Sequence, residues 1–109
     1  MPYILGTSAI IPAGQTTSNN LYIGKTTRLI GVDLPNVFTG NKAHIETSVD
    51  GVEWFNIYDQ AGALYEIKPT EGIFYIPESI STVIAQFIRL RSNATEVAER
   101  LIRFGLTQR

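Results

Sequence analysis

The sequence predicts an all-β protein, a single antiparallel β-sandwich of about seven or eight short strands. Three observations predict it. Short runs rich in β-branched and aromatic residues recur at intervals of roughly 8 to 12 residues, and Gly, Pro, Asn or Asp closes most of them. The stretch 44–58, HIETSVDGVEWFNIY, sets Asp50-Gly51 between two alternating runs, and that pair favours a hairpin because Gly takes positive φ freely. The later run 83–92 has Ile84, Ile88 and Leu90 in step, with Arg89 and Arg91 pointing the opposite way.

The elements follow in order. Residues 3–11 (YILGTSAII) are β-prone and end at Pro12-Ala13-Gly14, so 1–14 reads as an edge strand or an N-terminal arm that pairs with another subunit. The polar piece 15–20 (QTTSNN) is turn-forming. Leu21, Tyr22 and Ile23 make a short strand ended by Gly24. Residues 27–34 (TRLIGVDL) read as a well-buried strand that Pro35 stops, since proline cannot donate to a ladder. Gly40-Asn41 is another turn, and the 44–58 hairpin comes next.

The outgoing arm of that hairpin carries apolar residues on both faces, Trp54 and Tyr58 on one and Phe55 and Ile57 on the other. A sheet with one face in water alternates cleanly. The second face is therefore expected to be covered by a loop, a second sheet or another chain. Turns at 59–62 and 68–72 frame short strands at 64–67 and 73–76, and a polar connection spans 78–82. For the C-terminal stretch two patterns compete. Asn93 with Glu96 three residues later could cap a helix bearing Val97, Leu101 and Phe104. Ala98, Ile102, Phe104 and Leu106 instead keep a period of two, and a strand pairing with 83–92 is the economical solution in a sandwich.

Composition bounds the function classes. The chain of 109 residues is the size of one domain, 1–109, and can bury about two-thirds of its unfolded surface. It has no cysteine, which excludes disulfides, thiolate metal sites and a Cys nucleophile and suits a cytosolic place of synthesis. The net charge of −1 gives no general pull toward nucleic acid. Acidic residues gather between positions 44 and 78 and arginines after 84, which reads either as solvated faces or as a polar molecule suited to packing on itself or an acidic neighbour. No charged leader precedes an apolar segment, and no apolar run nears the roughly 18 residues that span a bilayer.

Chemistry finds little purchase. His44 is the sole histidine, with Glu46 and Asp50 nearby as a strand face and a turn rather than a ligand set. There is no Gly-x-Ser-x-Gly elbow and no Gly-x-x-x-x-Gly-Lys phosphate loop. Glu53 and Glu66 could form a carboxylate pair, as any acidic β-domain could. Five tyrosines with late arginines could stack on single-stranded nucleic acid, but tyrosines on strands are more often half-buried. The expectation is no enzyme, no cofactor, no metal, no membrane and no direct nucleic-acid contact.

Two resemblances arise at the same residues. Ser48-x-Asp50-Gly51-x-x-Trp54, with Phe87-Ile88-Arg89-Leu90-Arg91 much later, resembles the galactose-binding-like (discoidin) jelly rolls over about half the chain. Those motifs belong to the folding framework, so the resemblance implies a jelly-roll-like antiparallel β-sandwich more than sugar. The second covers nearly the whole chain: Ile-Pro-Ala-Gly-Gln-Thr-Thr-Ser at 11–18, Leu29-Ile30-Gly31-Val32-x-Leu34-Pro35, Phe38-Thr39-Gly40, Ser48-x-Asp50-Gly51, Ile57-Tyr58-Asp59-x-x-Gly62 and Ile88-Arg89-Leu90-Arg91-Ser92. In that order the segments are similar to small virion proteins of tailed bacteriophages, among them capsid decoration (cement) proteins.

That resemblance implies a non-enzymatic protein made in the host cytoplasm and carried on the capsid surface of the virion. It would form homodimers or homotrimers and bridge neighbouring subunits of the major capsid protein. Candidate contact residues are Tyr3, Phe55, Ile57, Tyr65 and Tyr75 as apolar anchors, with Arg89, Arg91 and Arg103 at a polar rim. The alternatives are a small carbohydrate-binding host-attachment module, or another structural part of the virion such as tail or neck.

Overall fold

The computed structural model describes residues 5–35, 37–69 and 73–108. Tyr3 and the tip of the expected 68–72 turn lie outside these. Nine strands are present among the described residues: β1 (Leu5–Ile11), β2 (Leu21–Tyr22), β3 (Thr27–Asp33), β4 (Ala43–Ser48), β5 (Phe55–Asn56), β6 (Glu66–Ile67), β7 (Phe74–Tyr75), β8 (Phe87–Ser92) and β9 (Arg100–Gln108). One short helix, α1 (Glu78–Ser81), joins β7 to β8.

The strands form two antiparallel sheets, a first in the order β1-β9-β3-β7 and a second in the order β2-β8-β4-β5, with β6 also on β4. The pairing is nested: β1 with β9, β2 with β8, β3 with β7, and β4 with both β5 and β6. A ribbon folded in half at the β4–β5 connection and then rolled, so that β9 meets β3 and β8 meets β4, gives this order. That is a jelly roll. The segments β5 and β6 share one strand position, so the nine strands fill eight places, in keeping with the predicted sandwich.

The alternation of each long strand explains why two sheets pack. Along β8 the odd members Phe87, Arg89 and Arg91 are half-exposed while Ile88 and Leu90 are buried. In β9, Ile102, Phe104 and Leu106 point inward, and Leu101 and Arg103 outward. Ile11, Leu29, Val32, Leu34, Ile45, Ile67 and Ile76 complete the layer between the sheets. Each fully buried aliphatic side chain contributes about 1.5–3 kcal/mol, so this interior is the main stabilising term.

Four expectations need correction. The last strand does not pair with β8; it enters the opposite sheet between β1 and β3. Inside-outside alternation is the same for either sheet, so pattern alone cannot assign it. The 78–82 connection is not merely polar, because α1 sends Ile80 into the core. Run 83–92 is strand only from Phe87; before that, the Ala85 amide donates to Thr47 Oγ1 and the Gln86 carbonyl accepts from Ile23. Ile57, expected at a contact surface beside Phe55, is buried at 4 % exposure. The pleat ends at Asn56, and Ile57 then turns inward while its carbonyl accepts from the Tyr65 amide.

Candidate interaction surface

The 48–54 connection turns a local sequence signal into a fixed loop. Ser48 Oγ accepts from the Asp50 and Gly51 amides, and Asp50 Oδ1 accepts from Val52 and Glu53 at 2.9 and 3.0 Å. The Val52 and Glu53 amides, with the Ser48 hydroxyl, hold the Asp50 carboxyl below its ordinary pKa. Gly51 has φ 80°, and a Cβ there would meet the Phe87 ring at ordinary contact distance, so the positive φ is what calls for glycine. The loop lays Trp54 on the Arg89 guanidinium, 4.2 Å from ring centroid to Cζ. The residues of the Ser-x-Asp-Gly-x-x-Trp and Phe-Ile-Arg motifs therefore meet one another, as a folding framework.

That cluster opens onto the outer face of the second sheet, where polar groups satisfy each other. Arg89 Nε lies 2.7 Å from Glu46 Oε1, and Arg91 Nε is 3.4 Å from the same oxygen. His44 is half-buried beside them; burial lowers its pKa, Arg91 lowers it further, and Glu46 opposes both. Tyr22 tilts against Phe87 at 5.1 Å. Arg89 and Arg91, expected at a polar rim, face outward, and both lie against the single Glu46 carboxylate, which offsets one of their two charges.

A second polar knot ties one end of the sandwich. Glu96 is fully buried in the β8–β9 connection. Its carboxylate accepts from the Thr39 amide at 2.8 Å, the Gly40 amide at 3.0 Å, Ser92 Oγ at 2.8 Å and Arg100 Nε at 2.8 Å. Burial pushes this carboxyl up, yet the Arg100 guanidinium and the three other donors together hold it down at about 2. A Cβ on Gly40 would strike Ser92 and Asn93, which explains the glycine. Asn93 and Glu96 do not cap a helix; they staple 92–96 to the β3–β4 connection, with Asn93 Oδ1 accepting from the Asn41 amide. The four-residue spacing of Glu96 and Arg100 was the available signal for the pair.

The outer face of the first sheet has a different character. Register places Gly6, Gly105, Gly31 and Tyr75 side by side across all four strands. The next row is Ser8, Arg103 and Asp33, and the one after it is Ile10 beside Leu101. Ile73 lies over Gly31, where a Cβ would strike it. The result is a glycine-floored strip with Tyr75, 70 % exposed, and Ile73, 67 %, at one end, while Leu101, 44 % exposed, lies with Ile10 beyond the charged row.

The predicted contact residues are thus dispersed. Tyr75 and Arg103 share the first sheet's outer face. Tyr65 is half-buried at the sandwich margin, where its hydroxyl meets the Tyr75 carbonyl at 3.5 Å and burial raises its pKa. Phe55 lines a separate groove of about 380 Å³ with Val49, Tyr58 and Val83. Ile10, Ile73 and Leu101 were missed, because only long-range register puts Ile73 over Gly31 beside Tyr75 and Ile10 beside Leu101 on the same face. Among the described residues no group of three His, Asp or Glu side chains could hold a metal ion. No described helix is long and apolar enough to cross a membrane.

No family model, no curated protein and no solved structure matches this chain.

Proposed function

We propose that this chain is a non-enzymatic structural protein of a virion, a decoration protein that docks on the outside of a phage head and bridges neighbouring major capsid subunits. The observation that carries the reading is the outer face of the first sheet, where Tyr75 and Ile73 stand in water at one end of a glycine strip and Ile10 and Leu101 form a second apolar pair beyond the Ser8, Arg103 and Asp33 row. Exposed apolar side chains gathered on one face and set among polar ones mark an interaction site. The molecule measures 38 × 28 × 27 Å, so its broad side, roughly 1,000 Å², is of the order of the ~800 Å² per partner that a specific contact buries.

The polar clusters support a binding role over a catalytic one. Glu96 has the most displaced carboxyl, but it is inaccessible and surrounded by donors already committed to it. The Arg89–Glu46–Arg91 group is likewise closed on itself under Trp54. Expanding shells load the joints between subunits, and a rigid sandwich laid across a joint adds buried area without entering the subunit fold.

Heating particles that lack the protein tests this. The account expects them to lose integrity at lower temperature than decorated ones, and to regain it when purified chain rebinds empty shells to a fixed number per shell. Unchanged particle stability with no rebinding would contradict it.

The groove at Phe55 and Tyr58, with Asn56 in its lining, favours a second reading as a glycan-binding module. Trp54 is not its platform, since its ring is occupied by Arg89. Glycan binding by the isolated chain that Phe55→Ala abolishes without unfolding would establish that alternative.

A further inference from the structure

The free edge of the first sheet carries a proposal that stands whether or not the shell reading holds. β1 is an edge strand, paired only with β9 among the described strands. Its sequence, LGTSAII, contains no charge, no proline and no bulge, the devices by which edge strands usually discourage pairing.

Its outward hydrogen-bonding groups can be identified. The Ile10 amide donates to Asn19 Oδ1 at 2.8 Å, and the Asn19 amide donates to the Ile10 carbonyl at 3.2 Å. Ile10 therefore turns its backbone groups away from β9. Alternation along an antiparallel ladder turns those of Ser8 and Gly6 the same way. No described residue bonds to them. Asn19 thus closes the edge at Ile10 and leaves a short open window at Gly6 and Ser8.

We infer that this window is the pairing site for a second copy of the chain, β1 against β1 in antiparallel register about a two-fold axis through Thr7. In that register Gly6 faces Ser8 of the partner copy, and Ser8 faces Gly6. The four outward amides meet the four outward carbonyls of the two windows, and each copy's Asn19 ends the pairing on its own side. The facing side chains are a hydrogen atom and a hydroxymethyl group, so no bulk or charge keeps the strands from the ~4.8 Å spacing of a sheet. A C2 contact requires such self-complementarity. A charged or bulky foreign strand would gain the same hydrogen bonds but not the matched stops. The two first sheets become one continuous sheet, with their apolar outer faces on the same side.

Sedimentation velocity on the full chain at rising concentration tests this. The expected limit is a mass of twice 12.1 kDa. Two substitutions leave the fold intact and attack the window. At Gly6 a Cβ meets open space and φ is not positive, so Gly6→Lys puts charge beside the axis. Ser8→Pro removes an outward amide that an edge strand can spare. Each is expected to raise the dimer dissociation constant about tenfold or more, with an unchanged circular dichroism spectrum. Because the chain has no cysteine, Thr7→Cys gives a clean readout, and a disulfide-linked dimer is expected on oxidation. A chain that stays at 12.1 kDa throughout would overturn the proposal. So would a dimer that both edge variants leave intact, or one that Thr7→Cys fails to cross-link.

Discussion

The two sheets bury similar inner faces and turn opposite outer faces to water. On the second sheet Glu46 sits between Arg89 and Arg91, Trp54 covers Arg89, and Tyr22 leans on Phe87, so each outward side chain has a neighbour from its own chain. On the first sheet the corresponding rows are glycines ending at Tyr75 and Ile73, then Ser8, Arg103 and Asp33, then Ile10 beside Leu101, so apolar side chains stand in water on either side of one charged row. The charged side chains of the second sheet are committed to one another, while the first sheet leaves Tyr75, Ile73, Ile10 and Leu101 in water.

Substitutions can break this contrast, beginning where the chain crosses from one sheet to the other. Glu96→Ala leaves Arg100 and two amides without their buried acceptor, and a loss of about 3–5 kcal/mol is expected in urea unfolding. The same group sets an acid limb. Its folded pKa of about 2 lies below the ordinary 4.5, so its contribution is complete above pH ~4.5 and fades as pH falls toward 2. Linkage puts this at roughly 3 kcal/mol, and unfolding curves across that range should be flatter for Glu96→Gln than for wild type.

A smaller loss follows on the charged face. Glu46→Gln leaves Arg89 and Arg91 facing a neutral group at a partly buried site, which should cost about 1–2 kcal/mol. On the first sheet's outer face, Leu101→Ser should cost about 1 kcal/mol, since that side chain is 44 % exposed, and Tyr75→Ser about 0.5 kcal/mol or less, since Tyr75 is 70 % exposed. Under the proposed function, their effect is expected on shell binding. A large loss of stability from either would mean that the face is part of the folding framework, and the contrast between the sheets would fail.

Much of this was legible from residue order, and the illegible part has a common cause. Ile88 and Leu90 against Arg89 and Arg91 gave a strand with its correct inner side, and Pro35 marked the end of β3 within two residues. The period-two reading of Ile102, Phe104 and Leu106 won over the helical one; Val97, which a helix would bury, is 78 % exposed. Asp50-Gly51 marked the hairpin, but the loop is wider than a tight turn because Asp50 gathers amides beyond it. What alternation cannot supply is the identity of the neighbouring strand. The sheet that receives β9, the alignment of Gly6, Gly31 and Gly105, and the meeting of Glu96 with Thr39 and Gly40 all depend on long-range register. Ile57 was misplaced for the local version of the same reason, since the pleat ends one residue before it.

The central claim is that the outer face of the first sheet docks on a protein shell, and co-sedimentation with empty phage heads tests it most directly. Wild type and Glu46→Gln are expected to pellet at the same fixed number of copies per shell, while the folded Tyr75→Ser, Leu101→Ser double variant remains in the supernatant. Equal binding by the double variant, or no binding by wild type, would contradict the account.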